Sequence, residues 1–96
     1  MGNIANTKES KAAQNFLLKS REAFSEKILR NTVKDIDISE CVQDESYTSA
    51  CRFNITGSVE TESPTGKART YLYHATVDVE DKKENLVSLN ITPLEG

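Results

Sequence analysis

The apolar side chains of this chain follow two rhythms, and the change from one to the other predicts its elements. From Thr7 to Arg30 there is neither Pro nor Gly, and Ala13, Phe16, Leu17, Ala23, Phe24 and Ile28 recur at helical spacing. At 3.6 residues per turn they make one stripe, with Lys11, Lys19, Arg21, Glu22 and Glu26 on the other side. Asn6 or Thr7 is a suitable N-cap, and Asn6 with Glu9 has capping-box spacing. Lys27 and Arg30 put cations where the helix dipole favours them, and Asn31 is a suitable C-cap. The spacing therefore predicts one long helix over residues 7–30.

After Thr32 the period becomes two. Ile36 and Ile38 alternate with Asp35, Asp37 and Ser39, a half-buried strand over 33–42. Next, Tyr47, Cys51, Phe53, Ile55 and Val59 share one parity, with Arg52, Asn54, Thr56, Ser58 and Glu60 on the other. Gly57 lies on the apolar parity, which points to a bulge or a close approach. Glu62-Ser63-Pro64-Thr65-Gly66 is a turn, because Pro presets φ and Gly supplies φ > 0. Tyr71, Tyr73, Ala75, Val77 and Val79 then face one way. A charged loop at 81–85 leads to a last strand with Val87, Leu89 and Ile91 in phase, ended by Pro93. The predicted fold is α+β: one N-terminal helix packed on a curved four-stranded antiparallel meander, with residues 1–6 a polar lead-in or tether and 7–96 a single domain.

Composition narrows the function classes. The chain has 96 residues, 36% hydrophobic and 28% charged, and a net charge of −3. That length makes one thin core. Its 12 basic and 15 acidic residues are mixed along the chain, so no basic stripe marks a nucleic-acid surface. No apolar run approaches the ~18 residues that would span a bilayer. The start Met1-Gly2-Asn3 is similar to mature bacterial lipoproteins, with Met1 where a lipidated cysteine stands. That likeness implies an exported domain of the bacterial periplasm or cell surface, tied to membrane only by such an anchor.

Cys41 and Cys51 are separated by a segment that reads as a turn, and the expectation is a disulfide between them. Such a staple stabilises a small domain and implies an oxidising compartment, which is the main support for export. Cys41 is out of phase with Ile36, Ile38 and Val42, so the bridge requires a bulge near Ser39–Glu40. Two cysteines and one distant His do not make a metal site. His74 is the sole histidine, on the polar parity with no carboxylate fixed beside it. There is no phosphate-binding Gly loop and no nucleophile–base spacing. The chemistry expected is therefore non-enzymatic, with no cofactor and no metal. Asn54-Ile55-Thr56 and Asn90-Ile91-Thr92 have glycosylation spacing, on the polar parity of their strands.

By element order over residues 7–92 the chain resembles cystatin-like folds, in which a curved antiparallel sheet wraps one long helix. Many small bacterial envelope domains share that outline. The resemblance implies a protease inhibitor as one alternative, yet Asn54-Ile55-Thr56-Gly57 does not match the Gln-x-Val-x-Gly hairpin of cystatin inhibitors. The reading favoured by the residues is a binding or assembly module of the cell envelope, meeting a protein partner or a second copy through a sheet face or an edge strand. Its expected partner face is Thr70, Leu72, His74 and Thr76. A further alternative is a small-ligand or lipid carrier with a cleft between helix and sheet, lined by Phe16, Phe53, Tyr71 and Tyr73.

Overall fold

The computed structural model describes residues 6–94. Two helices, α1 (Lys8–Leu18) and α2 (Arg21–Lys27), precede four strands, β1 (Thr32–Gln43), β2 (Cys51–Glu62), β3 (Ala68–Glu80) and β4 (Lys83–Pro93). The strands form one antiparallel sheet in the order β1-β2-β3-β4. The architecture is thus α+β with an antiparallel meander. Ala13, Leu17, Phe24 and Ile28 from the helices meet Val33, Ile36, Phe53, Ile55, Val59, Tyr73, Ala75, Val77, Val79 and Leu89 from the sheet in one core. Burial of the helix stripe against the sheet is the main stabilising term. Apart from Asn6, the expected lead-in lies outside the described residues, as does Met1.

The single helix expected over 7–30 is broken in two. Lys19 and Ser20 leave the helical path between α1 and α2, and α2 ends at Lys27 with Ile28 as its C-cap, not Asn31. The Ser20 hydroxyl donates to the Phe16 carbonyl at 2.7 Å, the back-bond that bends helices at serine. Lys19 N–H is shared between the Asn15 and Phe16 carbonyls at 3.2 Å each. At the start, Thr7 and not Asn6 is the cap, its hydroxyl accepting from Ser10 N–H at 3.1 Å. α1 touches all four strands, whereas α2 lies mainly against the two edge strands, β1 and β4, with Phe24 reaching Tyr73 of β3. Arg21 ties α2 to β1 by donating to the Val33 and Lys34 carbonyls at 3.0 and 2.9 Å.

Three irregularities in the strand pairing re-aim side chains. In β1 the register slips at Lys34 and again at Ser39. The first slip lets Val33 and Ile36 both face the core although they are three apart. The second turns Cys41 inward, where it is 1% exposed, so the bulge expected near Ser39–Glu40 is present. In β4 a third slip at Val87 sends Val87 outward and Leu86 toward the core, a correction to the phase expected of Val87.

Gly57 explains itself in the core. It pairs with Ile38 on one side and Tyr73 on the other. A Cβ on Gly57 would meet the Asp37 carbonyl oxygen at 2.0 Å and the Tyr73 hydroxyl at 2.8 Å. The space it leaves is crossed by Tyr73, whose hydroxyl donates to the Asp37 carbonyl at 2.8 Å. Phe24 meets the Tyr73 ring edge-on at 5.0 Å.

Of the two later hairpins, one has the expected turn and the other is tighter than its sequence implies. Between β2 and β3, Gly66 takes φ +87° and its N–H bonds the Ser63 carbonyl at 2.9 Å, as the Pro64–Gly66 turn requires. The β3–β4 connection is only Asp81-Lys82, with φ +49° and +64°, a two-residue turn of the type whose twist suits a hairpin.

The Cys41–Cys51 disulfide is not formed: both are free thiols. Register gives the reason. Cys41 lies opposite Ile55, four residues along β2 from Cys51. At ~3.3 Å per residue that offset is ~13 Å, about twice the Cα separation a disulfide tolerates. The bulge needed for the bridge is there, but the loop over 44–50 is placed off-centre and carries Cys51 past its intended partner.

Candidate functional site

Helices cover one side of the sheet, and the opposite side is open. Thr70, Leu72, His74 and Thr76 project from that open side of β3. Leu72 is 45% exposed, between Ser58 of β2 and Thr92 of β4. His74 is exposed between Thr56 and Asn90. Hydroxyls and amides, not carboxylates, are its cross-strand neighbours, so nothing here is placed to relay its proton. Thr76 donates to Asn54 Oδ1 at 3.1 Å, a cross-strand bond that occupies the amide of the first glycosylation-type triplet.

One end of this face is tied by charge. Arg52 Nε and a terminal nitrogen donate to the two Asp78 carboxylate oxygens at 2.7 and 2.9 Å. The Tyr47 ring lies 3.7 Å from the guanidinium carbon. The Asp78 carboxylate raises the Arg52 pKa further above its ordinary value. Tyr47 precedes the start of β2 and stacks here rather than on the core side where its parity put it. Residues 48–50 adopt no strand, so alternation counted back from Cys51 loses its meaning at Tyr47.

The other candidate is the outer edge of β4. The sheet ends there. From Asn85 to Pro93 the strand carries no charged residue, in a chain that is 28% charged. An open groove of about 400 Å³ with a mixed polar and apolar lining runs beside this edge, formed by Ile28, Leu29, Tyr71, Asn90, Ile91 and Pro93 among others, with Lys27 as its one charged residue. Leu29 is 75% exposed, the most exposed of the large apolar side chains described. Leu29 falls beside the helix stripe and by sequence alone looks like an ordinary surface leucine. Its signal was position: it follows directly on Ile28, at the end of the helix.

The four rings expected to line a cleft are divided among separate places. Phe53 is fully buried and Tyr73 is 4% exposed, both in the packed core. Phe16 is half-buried beside a surface groove with Ser20, Ala23 and Leu86, and Tyr71 borders the β4 groove. Burial, reinforced by the neighbouring Asp37 carboxylate, pushes the Tyr73 hydroxyl well above the ordinary tyrosine range. Burial likewise raises the Cys41 thiol, against an opposing hydrogen bond with Ser10 at 3.3 Å. A thiol so placed is a poor nucleophile. Cys51 is half-buried at a groove of about 490 Å³ beside Lys8, Ala12, Val79 and Lys82.

Among the described residues no group of three or more His, Cys, Asp or Glu side chains is arranged to hold a metal ion. Nor is any described helix long and apolar enough to cross a membrane. No family model, curated protein or solved structure matches the chain.

Proposed function

We propose that this domain is a non-enzymatic binding or assembly module that takes a strand from a protein partner onto the outer edge of β4. One observation carries the reading: an edge strand that is free of charge from Asn85 to Pro93 borders an open groove walled by Leu29. Strand addition needs those two parts together. Unpaired backbone groups supply main-chain hydrogen bonds, and a neighbouring pocket receives alternate side chains. The opposite edge is less suited, since β1 is bulged twice and carries Lys34, Asp35, Asp37 and Glu40, devices that discourage pairing. The open face with Leu72 flanks the β4 edge and would extend the contact, while His74 serves there as a surface polar group.

A carrier is the weaker reading, because Phe16, Phe53, Tyr71 and Tyr73 share no common cavity. Protease inhibition is weaker still. Asn54-Ile55-Thr56-Gly57 lies inside β2, an inner strand, and not at a hairpin tip that would enter a cleft. The expectation of export to the cell envelope rested chiefly on the disulfide, and two free thiols leave that compartment without structural support.

The test is an amide NMR titration of the labelled protein with an uncharged Val-Thr alternating heptapeptide as a generic strand probe. The reading expects shifts concentrated at the amides of Leu89 and Ile91 and at the Leu29 methyls. Shifts centred on Leu72 and His74, or none at all, would overturn it.

A further inference from the structure

We infer that the partner at this edge is a second copy of the same chain, the two β4 strands pairing antiparallel about a two-fold axis into one continuous eight-stranded sheet. The inference rests on the β4 edge being a docking edge, and adds the identity of what docks.

The phase of β4 fixes which backbone groups are on offer. Leu94 N–H bonds the Thr70 carbonyl at 3.1 Å. In an antiparallel ladder, bonded and non-bonded pairs alternate. Thr92, Asn90 and Ser88, opposite Leu72, His74 and Thr76, therefore direct their backbone groups at β3. Leu89 and Ile91 direct theirs outward. Pro93 falls in the outward phase too, where its missing N–H costs the β3 ladder nothing.

A two-fold axis through Asn90 matches this phase to itself. It sets Leu89 opposite Ile91 of the second copy, and Ile91 opposite Leu89, closing two bonded pairs and four main-chain hydrogen bonds. On the open side of the sheet, Asn90 would meet Asn90, and Ser88 would meet Thr92, all able to hydrogen-bond across strands. On the helix side, the partly buried Ile91 of each copy would approach the groove under the other's Leu29, while Leu89 stays packed in its own core.

Charge favours self-pairing at β4 over self-pairing at β1. An isologous contact presents each residue to its own kind or near neighbour, so any charge in the strand meets a like charge. β4 has none between Asn85 and Pro93. The same operation on β1 would oppose its acidic residues and misalign at both bulges. A nine-residue strand is only ~30 Å long, so the contact belongs to the small class of interfaces, with dissociation in the micromolar range.

Sedimentation velocity of the full chain from about 1 µM to about 1 mM tests it. The wild type should pass from monomer to dimer. Asn90→Lys brings like charges together at the axis and should weaken dimerisation about tenfold or more. Leu29→Glu changes a side chain that is 75% exposed, so it should fold normally and also weaken the dimer. Glu40→Lys on the opposite edge should leave it unchanged. Two results would overturn the pairing: a wild type monomeric throughout the range, or a dimer that survives Asn90→Lys with full strength while circular dichroism shows the fold intact. If that monomeric protein still shows probe shifts at Leu89 and Ile91, only the identity of the partner is wrong. If the probe also leaves those amides unmoved, the docking edge itself falls.

Discussion

Gly57→Ala should be among the most damaging single-methyl additions in this chain. The new Cβ would lie 2.0 Å from the Asp37 carbonyl oxygen, short of an ordinary C···O approach of about 3.3 Å by more than 1 Å. The obstacle is backbone, held in the β1–β2 ladder, so no side-chain rotation relieves it. The same methyl sits 2.8 Å from the Tyr73 hydroxyl and displaces the donor that the carbonyl uses. Overpacking alone costs about 1–3 kcal/mol. Loss of a buried hydrogen bond with its acceptor left unsatisfied adds about 1–3 kcal/mol. The sum is about 2–6 kcal/mol, a large part of the roughly 5–14 kcal/mol that a domain of this size holds. At roughly 5 °C per kcal/mol the melting temperature should fall by about 10–30 °C. Urea unfolding followed by circular dichroism, with Tyr73→Phe and the double variant beside it, separates the two contributions. Tyr73→Phe keeps the ring against Phe24 and should cost only the hydrogen-bond share. Because the methyl already breaks that bond, the two changes should sum to less than their separate costs. A loss under about 1 kcal/mol for Gly57→Ala would refute the close approach and the register that produces it.

Three other expectations follow from the same geometry. Lys82 holds φ +64° in the two-residue turn, a conformation that costs a side-chain-bearing residue about 1 kcal/mol or more, so Lys82→Gly should raise stability by about 1 kcal/mol in urea titrations despite the added freedom of the unfolded chain. Cys41 and Tyr73 both have folded pKa values above their unfolded ones. Their contributions are therefore complete below the unfolded values, about pH 8.5 and 10, and are lost as pH rises beyond each. Stability should be level near neutrality and decline in alkali, with Tyr73→Phe removing the part of the decline above about pH 10. Thiol titration should count two free cysteines under non-reducing denaturation, and in the native protein the half-buried Cys51 should react well before Cys41.

The fold class was legible because it depends on period, and period survives local irregularity. Odd-numbered residues from Phe53 to Val59 and from Tyr73 to Val79 do face the core. What escaped were events that leave the period intact or shift it by one. The break at Ser20 is of the first kind. Leu17 and Phe24 are seven apart, nearly two turns, so the stripe runs straight through the gap, and only a hydroxyl at a stripe position hinted at it. The slip at Val87 is of the second kind, since it exchanges Leu86 for Val87 in a run where both are apolar. At Ser39 the out-of-phase cysteine did announce the bulge, but the loop length decided that no bridge forms. The β4 edge was legible only as one option among several, because pairing order and the position of Leu29 belong to the tertiary structure.

The interrupted helix also constrains how the chain acquires its shape. Segments of 11 and 7 residues are well below the length at which helices persist alone in water. They precede the sheet in the chain, yet α2 leans on both β1 and β4. The helical segment therefore stays uncommitted until β4 has paired, and a truncation that removes β4 should leave that segment unfolded as well.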